Sequence, residues 1–148
     1  MIQNDTPMPE LSDEERARYE WQMWHEGMGD EGQRKLKAAT VLISRVGGLG
    51  GLVAYELAAA GVGRLILAHA GALKPADLNR QLLQTTANLG HSRMESIIRR
   101  LRALNPHVRL TGIPENISQD TADALVSQAD IIVDAAPLFE ERLALNDA

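Results

Sequence analysis

The chain has 148 residues, 45% of them hydrophobic, which is enough for one domain with its own core. Its 15 basic and 20 acidic residues give a net charge of −5. That balance excludes the basic surface of a typical nucleic-acid-binding protein and offers no attraction to anionic lipid. The absence of cysteine excludes disulfides, cysteine-bound zinc and a thiol nucleophile within these residues. No apolar run resembles a signal core or a membrane span, and a cytoplasmic location is expected.

The sequence of residues 1–39 predicts a tail followed by a helical arm. Residues 1–10 contain two prolines and no periodic pattern, which indicates a flexible tail. Helix formation is predicted within residues 11–39. Ser12 and Glu15 have the spacing of a capping box, in which each side chain binds a free main-chain N–H at the start of a helix.

Both tryptophans of the chain, Trp21 and Trp24, belong to this first predicted helix, which ends near Gly27 or Gly29. Two large aromatic side chains on one short helix indicate a docking surface. We expect them to dock on the chain's own domain. The alternative is the surface of a partner subunit.

Residues 40–148 alternate between short β-branched runs, typical of strands buried on both faces, and segments with helical periodicity. Strands are predicted at 40–44, 65–68, 108–113 and 131–134, and helices at 52–60, 92–104 and 121–128. This alternation implies a parallel sheet with right-handed crossovers and helices on both faces. The predicted fold is therefore Rossmann-like α/β.

The longest predicted helix in this region starts with a second capping box, formed by Ser92 and Glu95. Its apolar residues recur at helical spacing and define one buried face. Arg99, Arg100 and Arg102 fall on the other face, where we interpret them as solvated rather than as a phosphate site.

A glycine-rich turn joins the first strand to a helix of small residues. Such a turn lets the main chain approach a phosphate, which then lies at the positive end of the helix. Gly47 and Gly50 match two of the three glycines of the dinucleotide-binding pattern, but the first position is Arg45. His69 ends the second strand, where an acidic residue usually binds ribose. Nucleotide binding stays open, whereas a dinucleotide-dependent oxidoreductase is disfavoured.

Short motifs occur in a fixed order from Leu11 to Asp147. They are Arg18-Tyr19 with Gln22, Gly32-Gln33 with Leu36, Val46-Gly47-Gly48-Leu49-Gly50, Ala60-Gly61-Val62-Gly63, Asn79-Arg80-Gln81, Leu89-Gly90, Asn105-Pro106, Asp134-Ala135 and Arg142 with Leu145-Asn146. Together they resemble the ubiquitin-activating-enzyme-like superfamily, which includes the bacterial molybdopterin-synthase and thiamine-biosynthesis sulfur-carrier adenylyltransferases. The resemblance implies a Rossmann-like domain whose C-terminal part is absent here.

Members of that superfamily bind ATP and Mg²⁺ together with the C-terminal tail of a small ubiquitin-like or sulfur-carrier protein. They join the tail carboxylate to AMP and release pyrophosphate. The resemblance assigns nucleotide binding to Gly47, Gly48, Gly50, His69, Asn79 and Gln81. It makes Arg80 and Arg93 the candidate catalytic cations, and Arg18 the candidate for an arginine that reaches across a dimer.

Several residues depart from the family's pattern. His69 replaces the ribose-binding acid, and Arg93 replaces the catalytic lysine with a larger, planar cation. Pro137 and Leu138 replace the magnesium-binding aspartate and the asparagine after it, so no metal ligand is assigned. Trp21 replaces a second arginine of the first helix. These changes predict a domain that is degenerate in ATP binding and acts in a dimer with a homologous adenylation subunit; an active adenylyltransferase of a carrier protein is the alternative.

Overall fold

A four-stranded parallel sheet organises residues 7–148, which are the residues that the computed structural model describes. In chain order the elements are α1 (Asp13–Arg18), α2 (Glu20–Met23), α3 (Gly29–Ala38), β1 (Thr40–Ser44), α4 (Gly48–Ala60), β2 (Arg64–Ala68), the 3₁₀ helices Pro75–Asp77 and Thr86–Asn88, α5 (Arg93–Leu104), β3 (Arg109–Ile113), α6 (Gln119–Val126), β4 (Ile131–Val133) and α7 (Phe139–Asp147). The strand order β3-β2-β1-β4 confirms the predicted Rossmann-like α/β fold.

Side chains of the central strands alternate between two cores, one on each face of the sheet. Val41 and Ile43 of β1 belong to the core formed with α4 and α5, whereas Leu42 belongs to the core formed with α6 and α7. All three are essentially inaccessible to solvent. This double burial explains why β1 and β2 consist of unbroken apolar runs, and it confirms the prediction of helices on both faces.

The last strand, β4, is an edge strand that pairs with β1 on one side only. Ile131 is 54% exposed as a result. The prediction of a fully buried strand at residues 131–134 is therefore wrong, because its apolar composition does not reveal whether a neighbour covers both edges. Within residues 7–148, no helix has the length and apolar character needed to cross a membrane.

The first part of the N-terminal arm, before Gly27, contains two short helices, α1 and α2, where the sequence predicts one. The first capping box is confirmed: the Glu15 N–H donates to Ser12 Oγ (3.2 Å), and the Ser12 N–H donates to Glu15 Oε2 (2.8 Å). The helix then breaks at Tyr19, whose ring is buried against Gly61. A Cβ at Gly61 would lie 2.4 Å from Tyr19 Cζ, so only glycine leaves room for this contact.

The tryptophans do not dock on the chain's own domain, and that expectation is wrong. Trp21 and Trp24 are 76% and 66% exposed. Their ring centroids are 4.5 Å apart at an interplanar angle of 61°, an edge-to-face pair. The break in the helix is the physical reason, because it turns Tyr19 toward the sheet and leaves α2 at the surface.

Polar contacts anchor the arm instead. The buried amide of Asn105 donates to the Tyr19 hydroxyl and to the Ala58 carbonyl, both at 2.7 Å. Gln22 and Gln33 both donate to the Ala60 carbonyl at the end of α4. The arm thus closes on the C-terminal ends of α4 and α5.

The start of the chain and the start of α5 differ locally from the predictions. Residues 1–6 of the predicted tail lie outside the described residues, and Arg34 donates to the carbonyls of Met8 and Pro9, which ties the tail's other end to α3.

The second capping box is wrong, because the Ser92 side chain makes no capping bond. The Arg93 N–H donates to the main-chain carbonyl of Gly71 instead (3.2 Å).

Replacing Tyr19 with phenylalanine should destabilise the protein. The change leaves one buried Asn105 N–H without an acceptor, which costs about 1–3 kcal/mol. Urea denaturation would measure the loss. The control is Tyr55→Phe, at a hydroxyl on the accessible side of α4, where we expect a change within about 0.5 kcal/mol. Equal effects of the two substitutions would contradict the anchoring role.

Candidate functional site

A polar cavity of about 270 Å³ lies at the carboxyl ends of β1 and β2. It occupies the place where ligands bind in open parallel sheets, outside the strand ends and beside the first crossover helix. The lining residues are Arg45, Gly47, Gly48, Leu49, His69, Asp77, Arg80, Gln81, Arg93, Ala135 and Pro137. The structure therefore brings together six of the residues that the sequence assigns to the site: Gly47, Gly48, His69, Arg80, Gln81 and Arg93.

The glycine turn forms one wall of the cavity and leads directly into α4. A Cβ at Gly50 would lie 2.6 Å from the Arg45 carbonyl oxygen, so Gly50 is required for the turn itself although it does not line the cavity. At Gly47 and Gly48 the missing side chains leave space for His69 and Arg80, whose carbon atoms would be 3.2 and 3.3 Å from a Cβ. The amino end of a 13-residue helix thus faces the cavity with its positive pole.

Arg45 stands where the dinucleotide-binding pattern has its first glycine, and it adopts the backbone conformation of a glycine. Its φ of +56° is the only positive φ of a non-glycine residue among the residues described. Such a conformation costs about 1–3 kcal/mol and needs support from its surroundings. Glu141 of α7 gives that support, since it accepts from Arg45 Nε (2.7 Å) and Nη2 (2.5 Å). This bidentate bond raises the pKa of the guanidinium further, despite its partial burial.

Asp77 is the central residue of the site, and sequence reasoning missed it. Its Oδ2 accepts from Arg93 Nη2 (2.6 Å) and from the Lys74 N–H (2.9 Å). Its Oδ1 accepts from Gln81 Nε2 (3.1 Å) and lies 3.4 Å from Arg80 Nη2. Both oxygens are therefore engaged. The only signal in the sequence is local. Asp77 follows Lys74-Pro75 by two residues, where an acidic side chain can accept from the main-chain N–H at the start of the turn.

The charge state of Asp77 follows from these contacts. Burial alone would raise the pKa of its carboxyl, but the hydrogen bonds from Arg93 and the Lys74 N–H, together with the charges of Arg93 and Arg80, hold that pKa below its usual range. The carboxylate is thus ionised at neutral pH and fixes Arg80, Gln81 and Arg93 relative to one another.

His69 lies at the end of β2 and is 6% exposed, so it belongs to the wall of the cavity rather than to a surface loop. Burial lowers the pKa of its imidazole, and the positive charges of Arg93 and Arg45 lower it further; a main-chain contact at Val46 acts in the opposite direction. The ring is therefore neutral near pH 7. Its Nδ1 is buried without a hydrogen-bond partner.

Two further buried polar atoms near His69 have no partner in the structure. They are Gln81 Oε1 and Arg93 Nε. Buried polar atoms are nearly always hydrogen-bonded in folded proteins, so each such atom needs an explanation. Of the four such atoms among the described residues, three belong to side chains that line this cavity, and the fourth is Gln84 Oε1.

The remaining predicted residues lie away from the cavity wall. Asn79 is exposed and accepts from Arg80 Nη1 at 3.1 Å. Arg18 donates to the Leu104 carbonyl at 3.1 Å, which caps the end of α5 within its own chain. Asp134 closes the end of β4, since its Oδ1 accepts from the Ser44 hydroxyl (3.2 Å).

The lining residues do not fit a magnesium ion. Mg²⁺ is usually held by one or two carboxylates. Among the described residues, Asp77 is the only carboxylate that lines the cavity, and guanidinium groups already contact both its oxygens. Pro137, which the resemblance aligns with the superfamily's magnesium ligand, lines the cavity with a side chain that has no oxygen or nitrogen ligand. Within residues 7–148 no three His, Asp or Glu side chains converge as they would around a metal ion.

The chain is similar to proteins of known families along most of its length. A family model described as the ThiF family matches residues 19–148. Protein HesA, heterocyst, from Trichormus variabilis is 43% identical over 141 residues, which cover 95% of this chain and 53% of that protein. The sulfur carrier protein adenylyltransferase of Thermus thermophilus is 38% identical over 135 residues, covering 91% and 50%. The chain thus spans about half the length of the curated relatives it matches.

A solved structure of Escherichia coli MccB with ATP is also similar to this chain. The identity is 33% and the TM-score is 0.66, over 70% of this chain and 31% of MccB. The likeness therefore extends beyond the sheet topology to the level of sequence.

Replacing Asp77 with asparagine should destabilise the protein by about 3 kcal/mol, because the nearly buried Arg93 loses its counter-charge. Denaturant unfolding at pH 7 would measure the loss. Glu31→Gln is the matched control, since it removes a carboxylate from a solvent-exposed pair with Lys35, where little change is expected. An unchanged unfolding free energy for Asp77→Asn would contradict the organising role of this carboxylate.

His69 should make the stability depend on pH. Its pKa is lowered in the folded protein, so the unfolded chain takes up a proton first, near pH 6.5, as the pH falls. The His69 contribution is complete above that pH and is lost below it, by at most about 1.4 kcal/mol per pH unit. In His69→Gln the decline between pH 7 and pH 5 should be shallower. Parallel curves from urea unfolding across this range would contradict the neutral, buried imidazole.

Proposed function

Because the chain belongs to the ThiF family, we propose that it is the nucleotide-binding part of an adenylation system and holds a nucleotide by its phosphates. The observation that carries this proposal is the convergence of the glycine turn with Arg80, Gln81 and Arg93 on one cavity. These residues come from separate segments of the chain, and Asp77 fixes three of them in place.

The phosphates would lie at the amino end of α4. Helix amino ends attract anions through free N–H groups and the helix dipole. Three arginines line the cavity, against the two carboxylates of Asp77 and Glu141 that bind them, so the group keeps an excess positive charge. A polyanion is the ligand that this arrangement favours.

The ribose end differs from the pattern of the superfamily. His69 is neutral, and its Nδ1 is buried without a partner, so this nitrogen is an acceptor when the ring is protonated at Nε2. Gln81 Oε1 is a second unpartnered acceptor, and both side chains lie against Gly47. Two neutral acceptors could receive hydroxyl hydrogen bonds in place of one carboxylate, with weaker bonds.

We infer further that the protein acts beside a homologous adenylation subunit rather than transferring AMP by itself. Joining a carboxylate to AMP requires neutralisation of charge at the α-phosphate and at the leaving pyrophosphate. Pro137 supplies no ligand there. Two exposed apolar surfaces support an assembly: the Trp21–Trp24 pair, and the α7 side chains Phe139 and Leu143, which are 78% and 55% exposed.

An active adenylyltransferase is the second candidate. The 38% identity with the Thermus thermophilus sulfur carrier protein adenylyltransferase favours it, as does the presence of the cations Arg80 and Arg93 in the cavity. In that case ATP is the cofactor and the C-terminal tail of a ubiquitin-like or sulfur-carrier protein is the substrate. The two guanidinium groups would supply the charge stabilisation.

Titration calorimetry with ATP should detect binding, and Arg93→Gln should weaken it by about 1.5–3 kcal/mol through loss of a charge-assisted contact. Arg102→Gln, on the solvent face of the same helix, should bind like the unchanged protein. Absence of ATP binding would contradict the proposal.

A separate assay distinguishes the two candidates. ATP–pyrophosphate exchange, measured with a small carrier protein ending in Gly-Gly, should be absent for this protein alone and present when a homologous adenylation subunit is added. Exchange by this protein alone would establish the second candidate instead.

A further inference from the structure

We infer that this cavity binds nucleotide phosphates without a divalent cation, because its arginine side chains and the amino end of α4 supply the positive charge that holds them. The inference rests on the proposed nucleotide binding and specifies its chemistry. It defines the ligand as a free nucleoside polyphosphate rather than a magnesium complex.

Arg93 is held in the wall of the cavity by two bonds. Nη2 donates to Asp77 Oδ2 (2.6 Å), and Nη1 donates to the Ala70 carbonyl (2.9 Å). The side chain is 13% exposed, and its Nε is buried without a partner. This guanidinium is fixed before any ligand arrives, which lowers the entropic cost of binding an anion.

Arg80 and Arg45, on the two sides of the glycine turn, are also fixed by hydrogen bonds within the protein. Arg80 lies over Gly48, and its Nη1 donates to the Ala76 carbonyl at 2.7 Å. Arg45 is fixed by its bidentate bond to Glu141. Guanidinium groups match phosphate oxygens in planar, paired hydrogen bonds. After subtraction of the Asp77 and Glu141 carboxylates, the three arginines leave one net positive charge, to which the amino end of α4 adds its own.

A magnesium ion would meet repulsion instead of ligands. To bind Asp77 it would have to displace Arg80 and Arg93 from the carboxylate and leave both cations near its own double charge. Pro137 offers no alternative ligand. Magnesium bound to the nucleotide would also weaken the attraction between the phosphates and the arginines. The free polyphosphate should therefore bind at least as tightly as its magnesium complex.

The test is calorimetry of ATP binding in EDTA and in excess Mg²⁺ at one ionic strength. We expect an affinity in EDTA equal to or higher than that in Mg²⁺. A site that depends on the metal would show a coupling of about 5- to 150-fold in the opposite direction. Binding at least about fivefold weaker in EDTA would overturn this inference and leave the proposed function standing. No binding under either condition would overturn both.

Substitutions sharpen the test. In EDTA, Arg80→Gln should weaken binding by roughly tenfold or more. Because the Arg80 side chain is largely exposed, a loss of affinity would not be explained by misfolding. Arg102→Gln is the control on the solvent face of α5 and should leave the affinity unchanged. A control that weakens binding as strongly would overturn the assignment to these arginines.

The decisive variant is Pro137→Asp, which adds a carboxylate to the cavity wall. Its charge should repel the free polyphosphate and create a ligand for magnesium, so binding should become weaker in EDTA than in Mg²⁺. That reversal would show that the missing carboxylate sets the metal independence. The same ratio of affinities as in the unchanged protein would overturn the explanation.

Discussion

The carboxylate of Asp77 is the constraint on which the cavity depends. Three arginines and the positive end of α4 lie close together, and without a counter-charge their repulsion would oppose the burial of Arg93. Asp77 uses both oxygens to relieve that repulsion and also fixes Gln81. Because both oxygens are occupied, the same residue is poorly suited to bind a metal. The interaction that makes the site stable therefore also limits its chemistry.

A second ion pair couples the glycine turn to the other end of the fold. Arg45 holds a backbone conformation that favours glycine, and Glu141 stabilises it from α7, 96 residues away in the chain. Loss of either partner should relax the turn and, with it, the position of Gly47 against His69. The shape of the glycine turn thus depends on how α7 packs, which a partner contacting Phe139 could alter.

The sequence predicts the parts of this structure that follow from local patterns. Unbroken apolar runs predict the central strands, and the glycine turn correctly locates the cavity. The role of Asp77 could not be predicted in this way, because it arises only when the loop after β2 meets Arg93 on α5. The arm differs for a related reason: burial of Tyr19 against Gly61 breaks the helix and exposes Trp21, and no periodicity in the sequence encodes that contact.

The two ends of the cavity differ in their electrostatics, and this difference bears on what the site distinguishes. At the proposed phosphate end, guanidinium groups should make each added phosphate charge favourable. Near His69 and Gln81 the unpartnered acceptors are neutral, so hydroxyl groups gain only ordinary hydrogen bonds there. Discrimination between ATP, ADP and AMP should therefore be steeper than discrimination between ribose and deoxyribose nucleotides. A site with a ribose-binding carboxylate would discriminate more evenly between nucleotides that differ in phosphate number and nucleotides that differ in the sugar. The change to His69 therefore alters which part of the nucleotide determines the affinity.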